Sequence, residues 1–312
     1  MKSQKFVSHL VRRIAWDEID AQYLRNLVSV ARQEDLCGLG LAKRPAHLTD
    51  ITTMSIDPRS RAEARLVARR DMVVCGLRLV PLIIEMYSSL SAEASECVFI
   101  PEVSDSDKVC AGTVLGRIEG GGRVMLQAER IMLNFLQRLS GVATETAKYV
   151  AALKGSKTML LDTRKTTPGL RVLEKYAFAC GGGHNHRMGL FDRVMLKDNH
   201  LVCADSAEGS RLCDVVRGVR EKNPDVAVEV EVDRLSQIGP VLEAGADVIL
   251  LDNFSIADLK LAVGEIADAA WTEASGGVNL ETLGPIGEVG PDFASSGAPI
   301  HSSAWIDIGL DS

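Results

Sequence analysis

Residues Val226–Asp233 read VAVEVEVD, and the alternation in this stretch decides the fold class. Side chains along a strand point to opposite faces with period two, so Val226, Val228, Val230 and Val232 share one face and Glu229, Glu231 and Asp233 the other. Valines packed beneath helices would turn the carboxylates toward the interior of a sheet. A carboxylate there is costly unless a cation compensates it, which makes Glu231, near the strand's end, a candidate partner for Mg2+, a ribose hydroxyl or a basic side chain. An exposed edge strand with a polar face is the competing reading.

The same form recurs on either side. TMLLDT (158–163), DRVMLKD (192–198), ADVILLDN (246–253), AWTEASGG (270–277) and DFASSGA (292–298) are strand-length, and each is followed by helical periodicity or capping residues. Polar residues mark their C-terminal ends at Asp162, Lys197, Glu231, Asp252, Ser275 and Ser296. No G-x-G-x-x-G follows a first strand, so successive strand ends carrying polar groups fit a β/α barrel better than an open doubly wound sheet. With six such runs, an irregular barrel is expected. Upstream, glycines and β-branched residues alternate in CGLRLVPLIIEMY and KVCAGTVLGRIEGGGRVML, the pattern of an α+β domain. The expected division is therefore a sandwich domain over 1–128 and a barrel domain over 129–312, whose C-terminal tail packs back on the first.

The composition narrows the function. The chain has 312 residues, 46% hydrophobic and 25% charged, and its net charge of −7 offers no general attraction to nucleic acid or anionic membrane. The seven cysteines are scattered without a C-x-x-C pair, so they read as small buried hydrophobes of a reducing compartment rather than as disulfides or zinc ligands. The N-terminus lacks a secretory form, and the most apolar run, 72–86, falls short of the about 20 residues needed to cross a bilayer. A cytoplasmic location without membrane or nucleic-acid partners is expected.

Against that acidic background, Asp162–His200 carries seven basic side chains and four acidic ones, a local sign reversal that suggests an anionic ligand. Arg164, Lys165, Arg187 and Lys197 stand at strand ends and turns, where a β/α barrel builds its site and where guanidinium and ammonium groups can hold carboxylate or phosphate. Arg171, Lys175 and Arg193 stand in helical or flanking contexts, where a solvated charge is an equal reading. Asp252 is either a site carboxylate or a helix N-cap, a role open also to Asn253 and Ser255. Ser275-Gly276-Gly277 and Ser296-Gly297-Ala298 end the last two strands, where barrels often hold a phosphate on backbone N–H groups. His186 is read as a donor on the anion side, and His184 and His200 as structural; two histidines two apart are poor evidence for zinc.

The strings ERIMLNFLQRLSGVAT, DTRKTTPGLR, GGGHNHRMGLFDRVMLKDNH, VEVEV, LLDNF, EASGGV and SSGA, in this order and spacing, closely resemble the quinolinate phosphoribosyltransferase family from about Leu48 onward. The resemblance implies a type II phosphoribosyltransferase fold, an N-terminal sandwich beside an irregular β/α barrel. By matching motif position it makes Arg130, Thr163, Arg164, Lys165, His186, Arg187 and Lys197 anion-binding residues. Glu231 and Asp252 become the carboxylates on the ribose and Mg2+ side, and the two glycine turns the 5′-phosphate cradle. The chain departs from the family pattern at Ser296, usually aliphatic, at Pro299 after the last turn, and at Thr272 in a usually apolar strand.

The implied reaction takes quinolinate and phosphoribosyl pyrophosphate to nicotinate mononucleotide, pyrophosphate and CO2, with Mg2+ held mainly by the ribosyl donor near Glu231 and Asp252. The implied assembly is a homodimer whose sites include residues of both subunits, with a hexamer of dimers as a larger form. Competing readings are a paralogous phosphoribosyltransferase for another aromatic acid, a non-catalytic ligand-binding relative, and a Schiff-base aldolase using Lys197. The flanking cations, which suit phosphate and carboxylate more than a carbonyl, disfavour the aldolase.

Overall fold

The computed structural model describes residues 2, 5–43, 45–90, 96–197 and 209–312. By contact, the chain forms two units: Ala15–Thr144 with Ser303–Ser312, and Met1–Ile14 with Glu145–Ser302.

In the first unit, β1 (Arg61–Ala68) runs antiparallel to β5 (Val114–Gly121), which pairs on its other side with β3 (Cys97–Pro101). A short ribbon joins β2 (Met72–Val73) to β4 (Lys108–Val109). Alternation is visible in β1, where Ala64, Leu66 and Ala68 are buried while Glu63 and Arg65 face water. The helix Ala21–Cys37 is capped by Asp20, which accepts the Tyr23 N–H at 2.6 Å, and the helix Val80–Ser88 packs on both it and β3.

The second unit carries six parallel strands at the six expected runs: β6 (Met159–Leu161), β7 (Val194–Leu196), β8 (Val228–Val232), β9 (Val248–Asp252), β10 (Trp271–Ser275) and β11 (Phe293–Ser295). Their order is β6-β11-β10-β9-β8-β7, so β6 and β7, consecutive in the chain, lie at opposite edges. The irregularity sits between them. Instead of another strand, His184 makes a single parallel bridge to Leu161, and Asn185 an antiparallel one to Arg12. One end of the barrel is closed by Phe6 and Leu10, which pack with Leu161, Ala227, Val248 and Phe293. Burial of each large apolar side chain contributes about 1.5–3 kcal/mol, enough to hold a four-residue helix, Val7–Leu10, that would not persist alone. The last strand, β12 (Ile308–Asp311), returns to the first unit and pairs antiparallel with β1.

The barrel and sandwich classes are those expected, but the boundary at 128/129 is not where the chain divides. It falls inside the helix Gly122–Ala152, which runs unbroken for 31 residues because no proline interrupts it. The first 14 residues belong with the barrel, since their apolar side chains form its plug. The cysteine reading also needs correction. Cys75, Cys97 and Cys213 are buried, but Cys37 and Cys180 are half-buried and Cys110 is exposed. Cys203 and His200 lie outside the described residues.

Candidate active site

The C-terminal ends of the six strands open into a cavity of about 580 Å³. Period two explains its walls. The outer layer holds the residues at the strand ends: Lys197 after β7, Glu231 on β8, Asp252 on β9 and Ser275 on β10. Two residues earlier on each strand lies a deeper layer, of which Met195, Leu250 and Glu273 also line the cavity. Thr163, Arg164 and Lys165 enter from the turn after β6, and His186 and Arg187 from the segment that stands in for a strand beside it.

That turn is held locally. Thr163 Oγ1 accepts the Lys165 N–H at 3.0 Å, and Glu174 accepts the Thr167 N–H at 2.8 Å and its hydroxyl at 2.7 Å. Arg164 and Lys165 are consequently exposed toward the cavity mouth on a fixed backbone. Lys197 and Glu231 form an ion pair across neighbouring strands, the lysine half-exposed and the glutamate largely covered. An apolar pair, Met195 and Leu250, therefore lies beneath a rim of cations and carboxylates.

Asp252 is not a helix cap. Ser255 caps the helix Ile256–Ile266 by accepting the Asp258 N–H, and Asp252 instead accepts from Asn253 Nδ2 at 2.7 Å. Asn253 has a left-handed backbone (φ 56°) and donates its own N–H to the Ser275 carbonyl at 2.9 Å. This brings its side chain against the first glycine turn. A Cβ on Gly276, whose φ is 82°, would stand 2.2 Å from Asn253 Oδ1, so only glycine fits there.

The second glycine turn lies deeper than expected. Ser296, Gly297 and Ala298 do not line the cavity; Ser296 is buried and donates to the Val278 carbonyl at 2.7 Å, tying the two turns together. Gly297 backs the Thr163–Lys165 turn, where a Cβ would meet Thr163 Oγ1 at 2.9 Å. The departures from the family pattern have local partners: Thr272 donates its hydroxyl and N–H to Asp292 Oδ2, each at 2.9 Å, and Pro299 sits in the first turn of the helix Ala298–His301. Arg130 belongs to the first unit, where it is exposed on the helix Gly122–Ala152.

Beneath the cavity lies a charged floor that sequence reasoning missed. His186 Nε2 stands 3.2 Å from Glu229 Oε2 and 3.5 Å from Glu273 Oε2, while Arg193 reaches Glu229 at 3.2 Å. The Arg187 N–H donates to His186 Nδ1 at 2.7 Å, so His186 points its Nε2 into the floor rather than toward an anion. That corrects its expected direction, and the reason is the pair of carboxylates beneath it. Burial alone would raise Glu229, but His186 and Arg193 outweigh it and hold the group at about 2. His186, Glu229 and Glu273 have metal-ligand identities, with candidate ligand atoms within 4.8 Å of one another. The Arg193 guanidinium already supplies a positive charge there.

None of Arg171, Lys175 and Arg193 lines the cavity; Lys175 and Arg193 are buried and Arg171 is half-buried. Lys175 is wholly buried in an ion pair with Asp162, which also accepts from Asn185 Nδ2 at 2.7 Å and from the His186 N–H at 2.9 Å. Burial pushes Asp162 up and Lys175 down, so their mutual contact is what keeps charge in the pair. Arg171 donates to Thr166 Oγ1 and the Met188 carbonyl, each at 3.2 Å. His184 is not among the cavity's lining residues and bridges Leu161; burial, with Arg13 nearby, lowers it to about 4. Met195, Leu250 and Glu273 could have been found by stepping back two residues from each strand end.

Comparison with known proteins places this geometry. The family models described as the N-terminal and C-terminal domains of quinolinate phosphoribosyl transferase match residues 50–140 and 142–311. The chain is 39% identical to the chloroplastic carboxylating nicotinate-nucleotide pyrophosphorylase of Arabidopsis thaliana, over 87% of this chain and 80% of that protein. It is 36% identical to the carboxylating nicotinate-nucleotide pyrophosphorylase of Mycobacterium leprae, over 84% of this chain and 90% of that one. The solved nicotinate-nucleotide pyrophosphorylase of Francisella tularensis superposes with a TM-score of 0.85 at 32% identity, covering 96% of this chain and 99% of its own. With both domains matched in order and the fold shared along almost the whole length, the chain belongs to the quinolinate phosphoribosyltransferase family.

Proposed function

We propose that this chain transfers the phosphoribosyl group of phosphoribosyl pyrophosphate to quinolinate, giving nicotinate mononucleotide, pyrophosphate and CO2 in NAD biosynthesis. The observation that carries the reading is the cavity's composition: Arg164, Lys165, Arg187 and Lys197 around the apolar pair Met195 and Leu250, with Glu231 and Asp252 at the strand ends. An aromatic ring bearing two carboxylates needs apolar faces and cations at its edge, and a phosphorylated ribose needs hydroxyl acceptors and a turn of N–H groups. Gly276 and Gly277 offer that turn.

The ring nitrogen attacks the anomeric carbon as pyrophosphate leaves, and oxocarbenium character builds on the ribose. Glu231 and Asp252 stabilise that charge directly or through the hydroxyls. Lys165 offsets charge on the departing pyrophosphate. The cationic nitrogen then stabilises the electron pair that departing CO2 leaves on the neighbouring carbon, an ylide that takes up one proton to form the product C–H bond; Lys197 positions the leaving carboxylate, and its ammonium stands as the donor of that proton, to be recharged from solvent. Two oxygen-donor carboxylates beside a phosphate site fit Mg2+ carried in by the ribosyl donor; when bound, it would neutralise pyrophosphate charge.

Arg130 supports a further part of the reading. Exposed on its helix, in the unit that does not carry the cavity, it is proposed to complete the site of a second subunit in a homodimer. A cytoplasmic location is proposed from the seven scattered cysteines, none of them in a C-x-x-C pair; among the described residues no helix is long and apolar enough to cross a membrane.

The test is release of CO2 and pyrophosphate from quinolinate, the ribosyl donor and Mg2+, run beside nicotinate and nicotinamide. Quinolinate should be strongly preferred, because a missing carboxylate leaves a desolvated cation unpaired. Equal turnover of quinolinate and nicotinate would reject the reading in favour of a paralogous activity.

A further inference from the structure

Asn185 stands between two histidines and is not among the residues that line the cavity. It is nonetheless buried, with both ends of its amide engaged. Its Nδ2 donates to Asp162 Oδ2 at 2.7 Å and to the Lys175 carbonyl at 2.9 Å, while its Oδ1 accepts the Ile14 N–H at 2.7 Å. Three segments thus meet at one side chain: the residue after β6, the helix Arg171–Cys180 and the beginning of the chain. An aliphatic side chain of the same size would leave the buried Ile14 N–H without its acceptor.

The two residues that follow Asn185 depend on this junction. His186 and Arg187 line the cavity, yet they stand on no strand. Glu231, Asp252 and Ser275, by contrast, stand on strands paired along both sides. The segment that carries Arg187 has isolated bridges in place of ladders, His184 to Leu161 and Asn185 to Arg12. The N-terminal residues make the second of these. The Asn185 N–H donates to the Arg12 carbonyl at 2.7 Å, and Arg13 donates to the Gly183 and Gly182 carbonyls at 3.0 and 2.6 Å. Phe6 and Leu10, packed in the end of the barrel, anchor that stretch in turn. The Arg187 guanidinium meets the Arg193 carbonyl at 3.4 Å, a long contact, so its aim rests on the backbone behind it.

We propose that Asn185 and the N-terminal residues Arg12–Ile14 are positioning residues for Arg187: together they supply the pairing that the barrel lacks beside β6, and so hold the Arg187 guanidinium at the cavity wall to meet a carboxylate of the aromatic acid. The identity of that acid rests on the quinolinate reading above; the anchoring of the segment does not.

The experiment compares Ile14→Pro with Ile14→Ala. Both replace the buried side chain, but only proline removes the N–H that Asn185 accepts. Hydrogen exchange over residues 183–188, followed by mass spectrometry, should be faster in Ile14→Pro than in Ile14→Ala. Quinolinate affinity should be lower by about fivefold or more, the scale of one buried hydrogen bond, with a smaller change for phosphoribosyl pyrophosphate. On an Asn185→Ala background the same proline should add little, because its partner is already gone. Arg13→Ala, at an exposed position, should act in the same direction, and Arg13→Lys should recover part of the effect. Exchange no faster in Ile14→Pro than in Ile14→Ala overturns the proposal, as does a loss of affinity equal for both ligands or a proline effect undiminished on Asn185→Ala. Should Ile14→Pro not fold, exchange and quinolinate affinity both unmoved in Arg13→Ala overturn it. Wild-type protein that binds no quinolinate counts against the proposed function, while hydrogen exchange still decides the anchoring of the segment.

Discussion

Asn253 donates to the carboxylate of Asp252 at 2.7 Å, and the cap of the helix that follows falls instead to Ser255. Two tasks that one aspartate could have combined are thereby separated, leaving Asp252 to face the cavity.

That separation can be measured. Asp252→Asn keeps the shape of the side chain but removes its charge, so its unfolding midpoint should match wild type while turnover falls, by about 10²-fold if the group stabilises the transition state. Ser255→Ala should do the reverse, costing about 1 kcal/mol in urea denaturation with turnover retained. Normal turnover in Asp252→Asn would remove the charge of Asp252 from the chemistry.

Lys197→Ala removes the partner of Glu231 as well as a cation of the cavity. Release of CO2 should slow by roughly 10²-fold or more, with a smaller change in affinity for the ribosyl donor. Single-turnover CO2 release beside donor binding separates the two, and an unchanged kcat would remove Lys197 from the chemistry.

The Asp162–Lys175 pair holds the turn after β6 to the segment carrying His186. Lys175→Met strands Asp162 in the interior and should cost about 3–5 kcal/mol, measured by urea denaturation. Adding Asp162→Asn to that variant should restore part of the loss. A double variant no more stable than Lys175→Met alone would show that the ion pair is not what holds this junction.

If Arg130 completes a partner's site, Arg130→Ala and Lys197→Ala should each be nearly inactive, yet a mixed dimer can gather both lesions in one pocket and leave the other intact. With random assortment, recovery should approach about a quarter of wild-type sites. No recovery after verified subunit exchange would place Arg130 in the service of its own chain.

By itself the sequence determined what depends on neighbours a few residues away. Alternation in VAVEVEVD and its five companion runs set the strands, and the polar residues ending four of them, Lys197, Glu231, Asp252 and Ser275, set the rim of the cavity, while Asp162 and Ser296 are buried behind it. Only tertiary structure decided which side chains meet across strands. Glu229, Glu273, His186 and Arg193 come from four separate places in the chain, and their meeting follows from strand order and stagger, which local alternation does not encode. The same holds for Lys175, whose helical setting permits a solvated charge until Asp162 is brought beside it. It holds for Phe6 and Leu10, an unremarkable apolar pair until the end of a barrel needs closing. A polar residue inside a strand announces that it needs a partner, because burial without one is costly; the fold alone names that partner.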